Sequence, residues 1–295
     1  MQTKKLNDFQ LSKLAFRILL EKNKMRHYII SLIAIFNFCL VLSQESQELK
    51  CLTYNVLADK VEVEKRIPVL FKMFQESDAD VIALQEVAPW FVELLLKEKW
   101  IKNYHLPMEK DQVVVARGLL ILSKGPITKI TADFLPSKQQ RAYLIVDTKI
   151  KGIDFKIGTC HLDSPLEAGE MRAQQLDIFF NLLNPAENAI MLGDFNFGDG
   201  EKPETEKIPA TFLDIWQETN KGKPGFTWDI EKSEMAKKGS FPKEGSRRID
   251  RILFKSKLLK SKGSKIIGDE PLDTKKELFP SDHFGLTGNF KIVSK

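Results

Sequence analysis

Cysteine and histidine are scarce in this chain, three and four residues in 295, and neither forms a Cys-x-x-Cys or His-x-x-x-His pair. That excludes a zinc ribbon, a zinc finger or a zinc-protease helix as the source of function. A disulfide framework is excluded as well, because Cys39 lies in an N-terminal apolar stretch and leaves only Cys51 and Cys160. Cys51 stands four residues before one polar cluster and Cys160 directly before another, so the two thiols fall at different depths and are expected to be buried and free. No repeat, heptad or low-complexity tract is present. No apolar run reaches the ~20 residues that a membrane-spanning helix needs; the run from Tyr28 to Leu42 has fifteen.

That run reads instead as the core of a secretory signal. Arg26 and His27 precede it, and Val41 and Ser43 are small enough for cleavage after Ser43. Met25 is the expected start, with residues 1–24 an upstream extension, so the chain divides into a leader, 1–43, and a catalytic domain, 44–295. The expected location is secreted or periplasmic, or membrane-anchored if the leader stays. A charge imbalance is also missing from the remainder: the leader holds the whole net +5, leaving 38 basic and 38 acidic residues. A global electrostatic pull on nucleic acid is therefore not expected, and local patches would have to supply one. A single monomeric domain of 252 residues is within the ordinary size for an enzyme built on sheets.

What the chain does have is a series of apolar runs ending in polar clusters: Thr53-Tyr54-Asn55, Leu84-Gln85-Glu86, His161-Leu162-Asp163-Ser164, Gly193-Asp194-Phe195-Asn196, Arg248-Ile249-Asp250 and Ser281-Asp282-His283. Leu49–Val56 alternates and Val81–Leu84 is a short apolar run, so both read as strands, with helical spacing of Val63, Ile67, Leu70, Phe71 and Phe74 between them. Helices are expected over Pro89–Trp100 and 166–183, and strands over Val113–Ser123, Ile127–Phe134, Ala142–Ile150, Phe155–His161, Ala189–Leu192, Arg248–Phe254 and Phe284–Ile292. Strands outnumber helices, which fits a two-sheet sandwich with outer helices better than a doubly wound parallel sheet.

If such a fold gathers the strand ends, the clusters form one site. Glu86 is then a ligand for a hard cation or merely a cap, and the Asn55 side-chain oxygen joins it or only stabilises a turn. Asp194, directly after a buried strand, can take a proton from an attacking water while Asn196 holds the water or phosphate, against the plainer reading of a turn. Two histidines beside acids, His161 and His283, can neutralise charge building on a phosphate, with Asp250 orienting His283. Asp282 either meets the metal through water or caps. The basic stretch Lys237–Lys265 is a solvated face or a phosphate groove, and Phe226 and Trp228 stack a base or fill the core, core packing being favoured for Phe226.

With these clusters placed, residues 49–293 resemble the endonuclease/exonuclease/phosphatase superfamily, and within it the 5′-tyrosyl-DNA phosphodiesterases. The resemblance rests on Leu84-Gln85-Glu86, His161–Ser164, Gly225-Phe226-Thr227-Trp228-Asp229, Arg248–Arg251 and Ser281–Leu286. It implies a four-layered α/β sandwich and Mg²⁺-dependent hydrolysis of a phosphodiester, with Mn²⁺ as a substitute. By resemblance Glu86, Asn55 and Asp282 serve the metal, Asp194, Asn196, His161, His283 and Asp250 are catalytic, and Ser164, Trp228 and Arg248 contact substrate. The implied substrate is single-stranded DNA or 5′-phosphotyrosyl DNA; a secreted nuclease, a lipid or sugar-phosphate phosphohydrolase, and a non-catalytic nucleic-acid-binding domain are the alternatives. The chain departs from those enzymes at Tyr54, where Trp is common, at Phe195, where Thr is usual, and at Pro165-Leu166, where a basic residue is expected. A secretory leader also suits intracellular DNA repair poorly.

Overall fold

The computed structural model describes residues 47–273, Lys275 and 277–293; the leader, 1–43, and its expected start and cleavage positions lie outside them. Glu48 onward forms its own compact unit. β1 (Glu48–Asn55), α1 (Val63–Ser77), β2 (Val81–Gln85) and α2 (Pro89–Leu95) open it, followed by a 3₁₀ turn at Lys99–Asn103. β3 (Met108–Glu109) and β4 (Gln112–Val113) make a small hairpin. Then come β5 (Leu120–Ser123), β6 (Ile127–Phe134), β7 (Ala142–Ile150), β8 (Ile153–His161), α3 (Gly169–Leu183) and β9 (Ala189–Asp194). The short elements α4 (Glu204–Lys207), β10 (Leu213–Asp214), α5 (Ile215–Thr219) and α6 (Glu234–Gly239) lead into β11 (Asp250–Lys255), β12 (Leu259–Ile267) and β13 (Gly285–Ile292).

These strands make two mixed sheets, in the orders β12-β13-β1-β2-β5 and β10-β11-β9-β8-β7-β6. Because side chains alternate along a strand, each sheet buries both faces in separate layers. Leu49, Cys51, Val81, Ala83, Leu144, Val146, Ile157, Ile190 and Leu192 form the layer between the sheets. Leu52, Tyr54, Ile82 and Leu84 face outward against Ile67, Leu70, Phe71 and Phe74 of α1, whose spacing of three and four residues gives that helix one apolar stripe. On the other sheet Ile145, Cys160, Ala189 and Met191 meet Leu176, Phe179, Phe180 and Leu183 of α3. The result is the expected four-layered α/β sandwich, and Cys51 and Cys160 are buried and free.

Several elements differ from expectation. The helix from Pro89 stops at Leu95. The run Val113–Ser123 breaks after Val113 and resumes as strand only at Leu120, because Arg117 and Gly118 take φ of 51° and 83° in a turn. β12, hidden in the basic stretch, is an edge strand whose lysines deter pairing with another chain. Among the described residues no helix is long and apolar enough to cross a membrane.

Candidate active site

The space between the sheets changes chemistry along its strands. On β1 the inward side chains run Leu49, Cys51, Thr53, Asn55; on β8, Phe155, Ile157, Thr159, His161; on β9, Ile190, Leu192, Asp194. At the Thr53 and Thr159 level the layer turns polar but stays closed: the Gln85 amide nitrogen donates to Thr53 Oγ1 (3.1 Å) and Thr159 Oγ1 (3.0 Å), stitching the sheets together. One step further on lies the site. Register places it there, since β1 and β2 run parallel with Asn55 beside Gln85, and β8 and β9 run parallel with His161 beside Asp194. Antiparallel β11 begins at Asp250, opposite Asp194, and His283 precedes β13.

Asn55 Nδ2 donates to Glu86 Oε1 (3.0 Å) and to Asp194 Oδ2 (3.1 Å). Asp194 Oδ2 also lies 3.3 Å from His161 Nε2 and 3.7 Å from His283 Nε2. The other nitrogen of His283 is 3.0 Å from Asp250 Oδ2, and its ring is backed by Trp228, centroid to centroid 4.9 Å. Glu86 takes a left-handed φ of 59° at the end of β2 and its Oε2 accepts from Ala58 N (3.0 Å). Asn196, with φ 54°, donates its backbone N–H to Asp194 Oδ1 (3.0 Å) and its Nδ2 to Leu162 O (2.9 Å), which ties the β9 turn to the β8 turn. The Ser281 hydroxyl donates to Asn55 O (2.7 Å) and anchors the Asp282-His283 segment.

Charge in this site is unevenly held. Burial lifts the Asp194 carboxyl to about 7, with His283 pulling it down and Asp250 pushing it further up. Burial, then Arg141 and His283, hold His161 well below the ordinary histidine range. Burial would lower His283 too, but Asp250 and Asp194 outweigh it and hold that imidazole well above its ordinary value. Asp282 is raised by burial, with His283 lowering it and Glu86 raising it. Asp194, Asp250 and His283 offer ligand atoms within 4.8 Å of one another. Glu86, tied to Asp194 through Asn55, and Asp282, next to His283, add carboxylate oxygens at this site, the donor chemistry that fits a hard divalent cation.

Ten of the eleven residues singled out in the sequence lie in or against this site; four take parts different from those expected. Asn55 takes the turn-stabilising alternative rather than that of a metal ligand: Oδ1 accepts from Leu57 N (3.2 Å) and the NH₂ faces the two carboxylates, since only hydrogens satisfy acceptors on both sides. His161 is neutral rather than cationic, so it donates to or accepts from Asp194 without adding charge. Trp228 is only 7% exposed and supports His283, whereas Phe226, expected in the core, is 37% exposed. Arg248 does not reach the site. Its side chain is 1% exposed and is shared between Asp199 (Nε to Oδ2, 2.9 Å) and Asp214 (Nη2 to Oδ2, 2.8 Å), with Arg251 on the same two acids. Within the basic stretch these two arginines are therefore structural.

Ser164 lies at the rim, where its Oγ accepts from Gln139 Nε2 (2.9 Å) and Arg141 Nη2 (3.4 Å). Arg141 itself drew no attention in the sequence. It directly precedes β7, level with the end of β8, and feels the charges of Asp194, Glu86 and Asp163, while its Nε has no partner. No local signal marks it, because its neighbours along the chain are ordinary loop residues and only sheet pairing brings it to the site.

Residues 52–283 match the Endonuclease/Exonuclease/phosphatase family. The chain belongs to that family. It therefore sits among metal-dependent phosphoric ester hydrolases, as the motifs implied. Tyrosyl-DNA phosphodiesterase 2 of Xenopus tropicalis is 28% identical over 274 residues, 87% of this chain and 70% of that protein. The Xenopus laevis counterpart is 28% identical over 259 residues, 82% of this chain and 66% of its own length, so the chain spans about two thirds of these curated relatives. Two solved structures share the fold: D. rerio TDP2 complexed with a single-strand DNA product (TM-score 0.68, 24% identity, 83% of this chain, 99% of that one) and C. elegans TDP2 (0.67, 20%, 99% and 95%).

Proposed function

We propose that this chain is an exported, Mg²⁺-dependent phosphodiesterase that hydrolyses an aryl or nucleotide ester at the end of single-stranded DNA. One observation carries the reading. Asn55, Glu86, His161, Asp194, Asp250 and His283, drawn from both sheets, converge within hydrogen-bond contact at one end of the sandwich. Asp194, held near neutrality and fixed by Asn55 and the Asn196 backbone, is the group to take the proton of an attacking water. The charged His283, oriented by Asp250, meets the charge that builds on the phosphoryl oxygens, and Arg141 adds a second cation from the Ser164 side. Glu86 and Asp282 are the residues to hold the cation, which when bound supplies Lewis-acid polarisation of a phosphoryl oxygen. Oxygen donors favour Mg²⁺, with Mn²⁺ able to substitute.

The substrate class is supported by the tyrosyl-DNA phosphodiesterase name of the Xenopus relatives and by the DNA product held by the D. rerio protein. The missing basic residue after Ser164 is compensated by Arg141, whose guanidinium reaches the same hydroxyl. Export is supported by the leader reading alone, with cleavage after Ser43. The test is hydrolysis by the purified protein with Mg²⁺ of 5′-phosphotyrosyl DNA, single-stranded DNA, sphingomyelin and inositol phosphates. Preference for the first two is expected; turnover of lipid or inositol phosphate alone would overturn the substrate, and no turnover of any would overturn the activity. Amino-terminal sequencing of protein from intact cells should begin at Gln44.

A further inference from the structure

Across the site from Trp228, an exposed pair joins the two sheets. Arg117, in the turn before β5, sets its guanidinium carbon 4.8 Å from the ring centroid of Phe134, the last residue of β6. Phe134 is 58% exposed, the highest value among the large apolar side chains described. A single exposed apolar residue is ordinary; its register makes this one informative. Phe134 pairs with Ala142, Ala142 is level with His161 next to the Tyr143–Cys160 pair, and His161 pairs with Asp194. Residues in one row of a sheet project from the same face, so the ring stands on the site's side, about 14 Å from Asp194 by three strand spacings.

Arg117 is tied to the site from the other sheet. Its neighbour Gly118 accepts from Val87 N (2.9 Å) and lies against the Glu86 backbone, where an added Cβ would come within 3.4 Å of Cα. The loop that follows Phe134 carries Gln139 and Arg141, which meet Ser164 at the rim of the site, and an exposed Lys138. Asp133 projects to the opposite face of the edge strand. The approach from this side is thus lined by cations and one accessible ring, the chemistry that holds a phosphate and stacks a base.

We propose that Arg117 and Phe134 form a nucleotide subsite on the β6–β7 side of the scissile phosphate: a base stacks on the free face of Phe134 and its phosphate pairs with Arg117. The subsite deepens the phosphodiesterase reading above and rests on it. The test uses the full chain with single-stranded oligonucleotides extended one nucleotide at a time on either side of the scissile bond, and thymidine 5′-p-nitrophenyl phosphate as a minimal substrate. Extension toward one side raises kcat/KM in the wild type. Phe134→Ala and Arg117→Ala remove on the order of tenfold from extended substrates, leave the minimal one unchanged and keep the wild-type melting temperature; Phe134→Tyr restores the extended rate. Equal loss on both substrates, no dependence on length, or a loss that follows a tyrosyl peptide instead of added nucleotides overturns the subsite. Anisotropy of a labelled oligonucleotide in EDTA separates it from the activity: weaker binding by Phe134→Ala supports the subsite even if nothing is cleaved, and identical binding sinks it.

Discussion

His283 Nδ1 donates to Asp250 Oδ2 at 3.0 Å, and this one hydrogen bond aims the opposite ring nitrogen at Asp194, 3.7 Å away. The two acids are themselves cross-strand partners, the first residue of β11 and the last of β9. A sheet register therefore sets both the orientation and the charge of the imidazole, from opposite sides of its ring.

Asp250→Asn keeps the shape but removes the charge that holds His283 above its ordinary value. His283 should then lose its proton at lower pH. A fall of about 10²–10⁴ in kcat/KM is expected, with the alkaline limb of the pH–rate profile moving to lower pH. NMR titration of the imidazole checks the cause: an unmoved His283 titration would show that Asp250 acts only as packing.

Glu86→Gln keeps one of the two hydrogen bonds that Glu86 accepts, from Ala58 N or from Asn55 Nδ2, and deletes the carboxylate charge. Glu86 is half-buried, so folding should be little affected. The Mg²⁺ concentration giving half-maximal rate should rise at least tenfold to a hundredfold, since supporting residues around metal ligands alone command that range. Titration of activity with Mg²⁺ and Mn²⁺ reads this directly, and a wild-type response would remove Glu86 from the cation site.

Acid should unfold the metal-free protein partly through His161. Its folded pKa lies well below the ordinary 6.5, so below that pH the unfolded chain binds a proton that the folded chain refuses. Stability contributed by the neutral ring is present above pH 6.5 and is lost as pH falls toward the folded pKa. His161→Asn should flatten the dependence by up to about 1.4 kcal/mol per pH unit below pH 6. Urea unfolding at several pH values in EDTA measures the two slopes, and parallel slopes would exclude a buried neutral His161.

The sequence disclosed the strand ends because each inward face changes from apolar to polar with period two: Cys51, Thr53, Asn55 and Ile157, Thr159, His161 can be read without coordinates. Pairing between distant strands could not be read in this way. Arg141 joins the site only because β7 lies beside β8, and Arg248 leaves it only because Asp199 and Asp214 fold back over it. Both are arginines, and linear spacing carries no information on which guanidinium is buried among acids. Phe226 and Trp228 exchanged their expected exposures for a similar reason, because the backbone pairing of Trp228 with Arg247 turns the indole under His283.

Arg248→Met should therefore act on folding rather than substrate binding. It leaves Asp214, 7% exposed at its side chain, with Arg251 as its remaining salt-bridge partner on β11. Breaking one partner of a buried pair costs about 3–5 kcal/mol, and the lower end is expected because Asp199 is 41% exposed and can rehydrate. Urea midpoint and KM should separate: a lowered midpoint with unchanged KM is the structural outcome, and the reverse would return Arg248 to the substrate groove.

Tyr54, standing where related enzymes carry Trp, fits its cavity through two glycines. A Cβ on Gly285 would come within 2.2 Å of Tyr54 Cδ2, and one on Gly268 within 2.1 Å of its hydroxyl. Gly268 also adopts φ 75°, which a larger residue resists, while Gly285 is blocked by contact alone. Tyr54 is fully buried against Phe74 and cannot retreat outward. Gly285→Ala should destabilise by about 1–3 kcal/mol through overpacking. Because Gly285 follows His283 by two residues and opens β13, the displaced strand start should lower kcat more than it raises KM. Gly285→Ala combined with Tyr54→Phe does not relieve the Cδ2 contact and should leave the loss in place, whereas Tyr54→Leu should recover part of it. Denaturant unfolding and steady-state kinetics of the three variants decide whether the glycine is required by the ring or by the strand.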